Sequence, residues 1–142
     1  MGLLDDYTNG VGSPRPKWQH QRTMSRLLGN SYYELQRKGL EVLTEATVTN
    51  DWNDKAPDLV IFDNLFRPLL IFEITRSEQL DAIIDKCEEL MERFPQSEYF
   101  VYDYENEVLY MYDVEYDQWL SSEEYKLCSK YLNKPIMNYI KQ

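Results

Sequence analysis

Two short apolar segments that carry carboxylates constrain the fold more than any other feature of this chain. Residues 57–63 read Pro-Asp-Leu-Val-Ile-Phe-Asp, and residues 70–74 read Leu-Ile-Phe-Glu-Ile after a polar connection. This pattern predicts a β-hairpin whose second strand begins at Pro68, because proline is tolerated at the first position of a strand. The chain is therefore expected to contain an antiparallel strand pair with acidic residues beside its apolar positions.

The register of this hairpin decides whether two of the carboxylates meet. If Asp63 pairs with Pro68, Asp58 lies directly opposite Glu73. Opposed side chains in an antiparallel pair have Cβ atoms about 5 Å apart, where two like charges repel each other. Such a pair favours a compensating cation, for which a divalent metal ion is a candidate. The alternative is structural: Asp58 caps the strand entry and Glu73 is solvated, and a register slip of one residue would separate them.

Length and composition bound the class of protein. The 142 residues fit one domain, and 43% hydrophobic residues with 12 tyrosines exclude disorder. No apolar run reaches the roughly 18 residues of a membrane span, and the first residues lack a signal-peptide pattern. We therefore expect a cytoplasmic protein with no membrane segment, in which residues 1–16 form a flexible leader and residues 17–142 a single domain. Cys87 and Cys128 lack metal-type spacing and are predicted to be buried thiols.

The charge distribution limits how nucleic acid can be bound. The net charge of −10 argues against tight, indiscriminate binding to duplex DNA, which needs clustered lysine and arginine. Residues 13–38 nevertheless contain six lysines and arginines against one acid, whereas residues 98–124 contain nine acids and no lysine or arginine. A surface formed by residues 13–38 is therefore compatible with binding to nucleic acid.

Periodicity predicts the first half of the chain as helix, strand and hairpin. The first helix covers residues 17–38 and stops at Gly39, a suitable helix terminator. Residues 40–49 read as a strand. Its predicted buried face consists of Val42, Thr44, Ala46 and Val48.

The second half is predicted as helix, two strands and helix. An apolar stripe from Leu80 to Phe94 indicates a helix, which Thr75 and Glu78 would start as a capping box and Pro95 would end. Strands follow at residues 98–103 and 108–113, and a final helix is expected from about Glu123. This order predicts an α/β fold, a mixed β-sheet flanked by helices.

Lys86, His20 and the polar residues beside His20 are candidates for chemistry outside the hairpin. Lys86 falls about 100° from the centre of the apolar stripe, at its margin, from which a lysine can extend over the sheet edge towards the carboxylates. The alternative is a lysine whose stem covers apolar surface while its amine stays in water. His20, the only histidine, lies at the start of the first helix, where a lone histidine is more often packed or capping. The neighbouring Gln21, Arg22 and Arg26 would suit phosphate contacts, although solvated helix faces look the same.

Several catalytic classes find no support in the sequence. There is no glycine-rich phosphate loop, no paired-cysteine zinc signature, and no serine or cysteine nucleophile with a histidine base. Hydride transfer, zinc chemistry and acyl transfer are therefore not indicated. The tyrosines of the last two predicted strands are more typical of packing or of a dimer surface than of base stacking.

Taken in order, these motifs resemble the PD-(D/E)XK nuclease superfamily, and more closely its Uma-two-type, restriction-endonuclease-like branch. The similarity extends from about residue 13 to residue 113. The matching segments are Ser13-Pro14, His20-Gln21, Pro57-Asp58-Leu59-Val60, Glu73-Ile74, Lys86 and residues 98–103. One departure is Thr75, which occupies the position of the superfamily's lysine. In this branch the lysine is thought to come from the next helix, where Lys86 falls.

The resemblance implies a restriction-endonuclease-like fold and a metal-dependent endonuclease that hydrolyses DNA with a metal-activated water. Asp58, Glu73 and the backbone carbonyl of Ile74 would then hold Mg²⁺ or Mn²⁺. Lys86 would orient the water or neutralise developing charge. His20 with Gln21 would support the metal or its water.

A second function stays open at this point. Thr75 stands in the lysine's usual position, and the chain has a net charge of −10. Both features suit a catalytically inactive nuclease-fold module. Such a module would act in protein–protein interaction or form a homodimer through a sheet edge or its C-terminal segment.

Overall fold

The strands of the computed structural model follow one another across the sheet in chain order. The structure describes residues 18–46, 48 and 56–142, so the predicted leader at residues 1–16 and the Ser13-Pro14 match lie outside the described residues. The helices and strands are α1 (Trp18–Arg37), β1 (Glu41–Thr44), β2 (Leu59–Phe62), β3 (Pro68–Thr75), a 3₁₀ turn (Ser77–Gln79), α2 (Leu80–Arg93), β4 (Glu98–Asp103), β5 (Val108–Asp113), β6 (Gln118–Ser121) and α3 (Ile136–Ile140). Strands β3 and β4 are parallel, and every other neighbouring pair is antiparallel. The predicted α/β class, a mixed sheet flanked by helices, is confirmed.

Helices cover both faces of the sheet because successive strand side chains alternate between the faces. On one face, Leu27 and Leu35 of α1 share a core with Phe72 of β3. On the other face, Cys87 of α2 packs with Ile71 of β3. Glu73 follows the alternation of Ile71, so its side chain belongs to the α2 face.

The first helix ends as predicted. Gly39 has a φ of 75°, a left-handed conformation that glycine adopts without steric cost. The next N–H, that of Leu40, donates to the carbonyl of Leu35 at 2.9 Å and closes the helix terminus. The sharp stop turns the chain directly into β1.

The predicted strand at residues 40–49 is shorter than expected. Strand β1 ends at Thr44, and Glu45 follows with a φ of 55°. The reversal breaks the alternation, so Val42 joins the core under α1, whereas Ala46 and Val48 pack at the edge of the core under α2. The prediction of a single shared face is therefore wrong, and residues 47 and 49 lie outside the described residues.

The hairpin keeps the predicted register over most of its length. Leu59 pairs with Phe72, and the next two pairs continue the same register. The pairing then shifts, so that Phe62 and not Asp63 lies opposite Pro68. The predicted pair of Asp63 with Pro68 is wrong, because Asp63 folds the turn: its Oδ1 accepts the N–H of Arg67 at 2.9 Å. The irregularity sits away from the carboxylate end and leaves that end in register.

Helix α2 packs its predicted apolar stripe on the sheet, but its predicted capping box is wrong. The 3₁₀ turn precedes the helix, and the hydroxyl of Thr75 donates to the carbonyl of Arg76 instead of capping α2. The N–H of Ser77 is accepted by Oε1 of Glu105, which comes from the distant turn between β4 and β5. A long-range partner therefore replaces the local cap.

The C-terminal prediction needs the largest correction. Residues 118–121 form the edge strand β6, and α3 covers only Ile136–Ile140, so no helix begins at Glu123. A buried carboxylate, Glu34 of α1, holds this segment in place: it accepts the hydroxyl of Tyr139 at 2.5 Å and the N–H of Asn133 at 2.5 Å. The C-terminal segment is thus fixed by tertiary contacts more than by helix length.

Two further expectations can be compared with the structure. Cys87 is buried as predicted, whereas Cys128 is exposed, which corrects the expectation of two buried thiols. Within residues 18–46, 48 and 56–142, none of the helices combines the length and apolar character needed to cross a membrane.

Candidate active site

The ends of two neighbouring strands bring Asp58 and Glu73 together. Asp58 immediately precedes β2, and its N–H lies 3.4 Å from Oε1 of Glu73. Its own Oδ2 accepts the N–H of Ile74 at 2.7 Å. Because the N–H and C=O of one strand residue face the same neighbouring strand, the carbonyl of Ile74 also faces the Asp58 side. The register expected from the sequence therefore does place the two carboxylates side by side.

Lys86 reaches these carboxylates from the overlying helix. Its Nζ lies 2.5 Å from Oε2 of Glu73, and its side chain is 22% exposed. Cys87, the next residue, is buried against the sheet, so the backbone of α2 is held close to the strands. The expectation that Lys86 reaches a carboxylate is confirmed, but the contact is made on the interior strand β3 and not over an edge of the sheet. The solvated alternative does not describe this side chain.

His20 approaches from the opposite helix layer. Its Nε2 lies 3.2 Å from Oδ1 of Asp58, and its side chain is 14% exposed. Its other ring nitrogen, Nδ1, is shielded from solvent and has no hydrogen-bond partner among the described residues. Gln21 is exposed and its side chain makes no hydrogen bond with the described part of the chain, because it lies about 100° further round the helix. The structure therefore brings His20, but not Gln21, to the carboxylates.

Burial and charge shift two titratable groups in this cluster. Burial raises the pKa of Glu73 to about 7, and Asp58 adds to this rise whereas Lys86 opposes it. The hydrogen bond to Asp58 raises the pKa of His20 above its ordinary value, and burial opposes this rise. The cluster therefore combines two neighbouring carboxylates with one lysine and one histidine, and both the Glu73 and the His20 pKa are raised by their surroundings.

The donor chemistry of the cluster fits a hard divalent cation. Across residues 18–46, 48 and 56–142, no group of three or more His, Cys, Asp or Glu side chains is arranged to hold a metal ion. Mg²⁺, however, is commonly held by one or two carboxylates while water completes its shell. Asp58 and Glu73 supply two adjacent carboxylates, and the carbonyl of Ile74 supplies a third oxygen on the same side. The donor set therefore suits Mg²⁺ or Mn²⁺ better than it suits zinc.

A network beside the cluster was not predicted from the sequence as part of the site. Asp103, 1% exposed at the end of β4, accepts the hydroxyl of Ser77 at 2.7 Å and the N–H of Glu105 at 3.0 Å. Ser77 lies between Glu73 and Lys86 in the chain, so Asp103 anchors the connection between them. The available signal was an acidic residue at the end of an apolar strand, which the segment 98–103 already displayed.

Comparison with known proteins supports the fold but does not show a family. No protein-family model matches the sequence, and no curated protein is found to be similar to it. Among solved structures, the chain is similar to a protein from Anabaena variabilis that is described as a "putative nuclease belonging to DUF820", a family of the Uma-two type. The two share 12% sequence identity with a TM-score of 0.65, and the match covers 92% of this chain and 85% of the other. The described residues thus adopt the fold of a nuclease-like neighbour.

Proposed function

We propose that this protein is a metal-dependent endonuclease that hydrolyses DNA phosphodiester bonds. The observation that carries the proposal is the convergence of Asp58, Glu73 and Lys86 at one end of the sheet. Burying Glu73 beside a second carboxylate, with Lys86 as its ion-pair partner, is costly for stability alone, and perturbed groups of this kind cluster at catalytic sites. The structural neighbour described as a nuclease supports the same reading.

Each residue of the cluster would have its own role in phosphodiester hydrolysis. Asp58, Glu73 and the carbonyl of Ile74 would hold Mg²⁺ or Mn²⁺, which when bound supplies an activated water and stabilises phosphate charge. Lys86 would stabilise negative charge on the phosphate or orient the attacking water. His20 keeps the Asp58 carboxylate oriented through its Nε2 contact and contributes positive charge near the phosphate. His20 is a positioning residue in this scheme, and Gln21 has no role in it.

Cleavage assays test this proposal directly. Purified protein is incubated with circular and linear DNA in Mg²⁺, Mn²⁺ or EDTA, and nicked products are counted. Asp58→Ala, Glu73→Ala and Lys86→Ala should each reduce metal-dependent cleavage at least 100-fold, because each removes a group that acts on the reacting phosphate or its metal. Glu92→Ala and Lys126→Ala are matched controls, since both residues are exposed and lie outside the cluster. Nicking that survives all three site substitutions would remove the assignment.

Manganese calorimetry separates the enzyme from a non-catalytic interaction module. The endonuclease should bind Mn²⁺ with measurable heat, and Glu73→Ala should abolish that heat while the protein remains folded. The absence of heat at millimolar Mn²⁺ from folded wild-type protein would favour the interaction module. Homodimer formation stays a prediction, and sedimentation measurements would test it.

A further inference from the structure

A cleft opens beside the candidate active site, between the first turns of α1 and the turn that joins β4 to β5. Its volume is about 390 Å³. The α1 side is formed by Trp18, Arg22 and Arg26, and the opposite side includes Tyr104, Glu107 and Lys141. Two arginines and an aromatic ring from one helix therefore line the same open space.

The cleft adjoins the carboxylate cluster. Gln19, which also lines the cleft, directly precedes His20 in α1. Tyr102, another lining residue, pairs in register with Ile74, whose N–H is bound by Asp58. Tyr102 packs in the core under α1, whereas Glu73 and Lys86 lie on the α2 face. The cleft and the carboxylates are therefore on opposite faces at the same end of the sheet, where His20 of α1 reaches Asp58. A polynucleotide that passes round this end of the sheet from the carboxylates towards α1 would enter the cleft.

The acidic side chains of the cleft have partners within the protein, whereas its two arginines have no ion-pair partner among the described residues. Lys141 forms an ion pair with Glu107, and Oε1 of Glu105 accepts the N–H of Ser77. Both acids on this side are therefore engaged within the protein. Arg22 and Arg26 form no ion pair with the part of the chain that the structure describes. Lys141 and, to a smaller extent, Arg22 lower the pKa of the Glu107 carboxyl, so Arg22 lies within the field of that acid. Neither arginine has a direct ion-pair partner among the described residues, and guanidinium geometry suits a phosphate.

An aromatic surface lies next to the arginines. Trp18 is 61% exposed. The guanidinium carbon of Arg22 lies 4.8 Å from the centre of its ring. Nucleobases stack on exposed aromatic rings, and an adjacent arginine adds a cation–π contribution. A ring for a base beside two arginines for a phosphate matches the chemistry of one nucleotide.

We propose that this cleft binds a nucleotide of single-stranded DNA next to the scissile phosphate, with the phosphate on Arg22 and Arg26 and the base on Trp18. The proposal rests on the proposed nuclease function, whose substrate it narrows. Stacking on Trp18 requires an unpaired base, whereas duplex DNA keeps its bases stacked within the helix. The net charge of −10 also disfavours duplex DNA, whose binding requires many phosphate contacts.

Binding without metal tests the cleft independently of catalysis. Fluorescence anisotropy with a labelled ten-nucleotide single-stranded DNA is measured in EDTA for the wild type and variants. Arg22→Ala/Arg26→Ala should weaken binding at least tenfold and should reduce the slope of log Kd against log salt by about 0.7 for each lost phosphate contact. Trp18→Ala should weaken binding at least fivefold and leave the slope unchanged, because stacking adds no charge.

Matched controls use the same helix. Arg37→Ala removes an arginine of α1 that does not line the cleft, and Tyr33→Ala removes an aromatic residue that is 70% exposed. Both should change Kd less than twofold. If the double variant does not fold, Arg22→Ala alone replaces it, because Arg22 is exposed. This single variant should weaken binding about fivefold.

Each outcome separates the cleft from the nuclease function. Equal binding of the cleft variants and their controls would overturn the cleft proposal, even where wild-type protein cleaves DNA. Duplex DNA or RNA of the same sequence that binds as tightly as the single-stranded DNA would also overturn it. Binding that is lost in the cleft variants, from a wild type that does not cleave with Mg²⁺ or Mn²⁺, would support the cleft and reject the nuclease.

Discussion

Lys86 Nζ on α2 lies 2.5 Å from Glu73 Oε2 on β3, so a helix supplies the cation for a carboxylate that the sheet buries. Glu73 is only 2% exposed, and Thr75, two residues further along the strand, is also buried. Thr75, a small polar residue, thus occupies the strand position two residues after Glu73. Lys86 reaches Glu73 from the adjacent helix layer.

The stability of this pair should depend on pH. Lys86→Met leaves Glu73 buried without its cation and should lower the free energy of unfolding by about 3 kcal/mol at pH 8. The loss should be smaller at pH 5, because the pKa of Glu73 is raised to about 7 by burial and the carboxyl takes up a proton below that value. Urea unfolding at both pH values measures the difference.

The double variant Glu73→Gln/Lys86→Met is the control for this prediction. It removes both charges and should recover most of the loss at pH 8. A Lys86→Met cost that is identical at pH 5 and pH 8 would contradict the burial of an unpaired Glu73 charge.

Asp58 should control the titration of His20. The hydrogen bond to Asp58 raises the pKa of His20 above its ordinary value of 6.5, so Asp58→Asn should lower it. The stabilisation from this contact is fully present below pH 6.5 and is lost as the pH rises through the folded-state pKa. Because His20 is the only histidine, one imidazole resonance in a proton NMR titration reports both values. An unchanged pKa in Asp58→Asn would contradict the contact.

Glu34 should support stability at neutral pH. It accepts hydrogen bonds from Tyr139, Asn133 and Lys38, and these contacts lower its pKa against the opposing effect of burial. Its stabilisation is therefore present above pH 4.5 and is lost as the pH falls through the lowered folded-state pKa. Glu34→Gln should lower the free energy of unfolding by about 2 kcal/mol at pH 7. It should also make that free energy depend less steeply on pH in the acid range.

Thermal and urea unfolding between pH 3 and pH 7 measure this effect. Glu92→Gln on the exposed face of α2 is the matched control and should change stability by less than about 0.5 kcal/mol. If the free energies of unfolding of wild type and Glu34→Gln fall in parallel as the pH is lowered, protonation of Glu34 is not what destabilises the protein in acid.

Asp103 should be required to keep Glu73 and Lys86 aligned. Asp103→Ala leaves the hydroxyl of Ser77 and the N–H of Glu105 without their acceptor and should cost about 2 kcal/mol in unfolding free energy. It should also reduce cleavage, because the displaced connection carries α2 and Lys86. Because Asp103 also holds the N–H of Glu105, which lines the cleft, Asp103→Ala should weaken DNA binding as well. Asp113→Ala, at the end of β5, is the control, since its Oδ1 accepts a single N–H from Glu115. Equal effects of both substitutions would contradict a positioning role.

Local sequence patterns were sufficient to predict much of the fold. The bounds of β4 and β5, the span of α1, the apolar stripe of α2 and three pairs of the hairpin register follow from periodicity and turn residues. These features depend on neighbours within a few residues, which the sequence displays directly. The same local reasoning was wrong for the helix expected from Glu123 and for the capping box at Thr75. There, distant partners such as Glu34 and Glu105 decide the conformation.

The candidate site shows the same division. The sequence by itself determined that Asp58 and Glu73 lie on adjoining strands, because side-chain alternation and a short turn permit few registers. Only the tertiary structure decided that Lys86 turns towards Glu73, that His20 reaches Asp58 and that Gln21 does not. Those contacts depend on how α1 and α2 are placed on opposite faces of the sheet. That placement is set by packing of the two cores across long sequence separations, which no local pattern encodes.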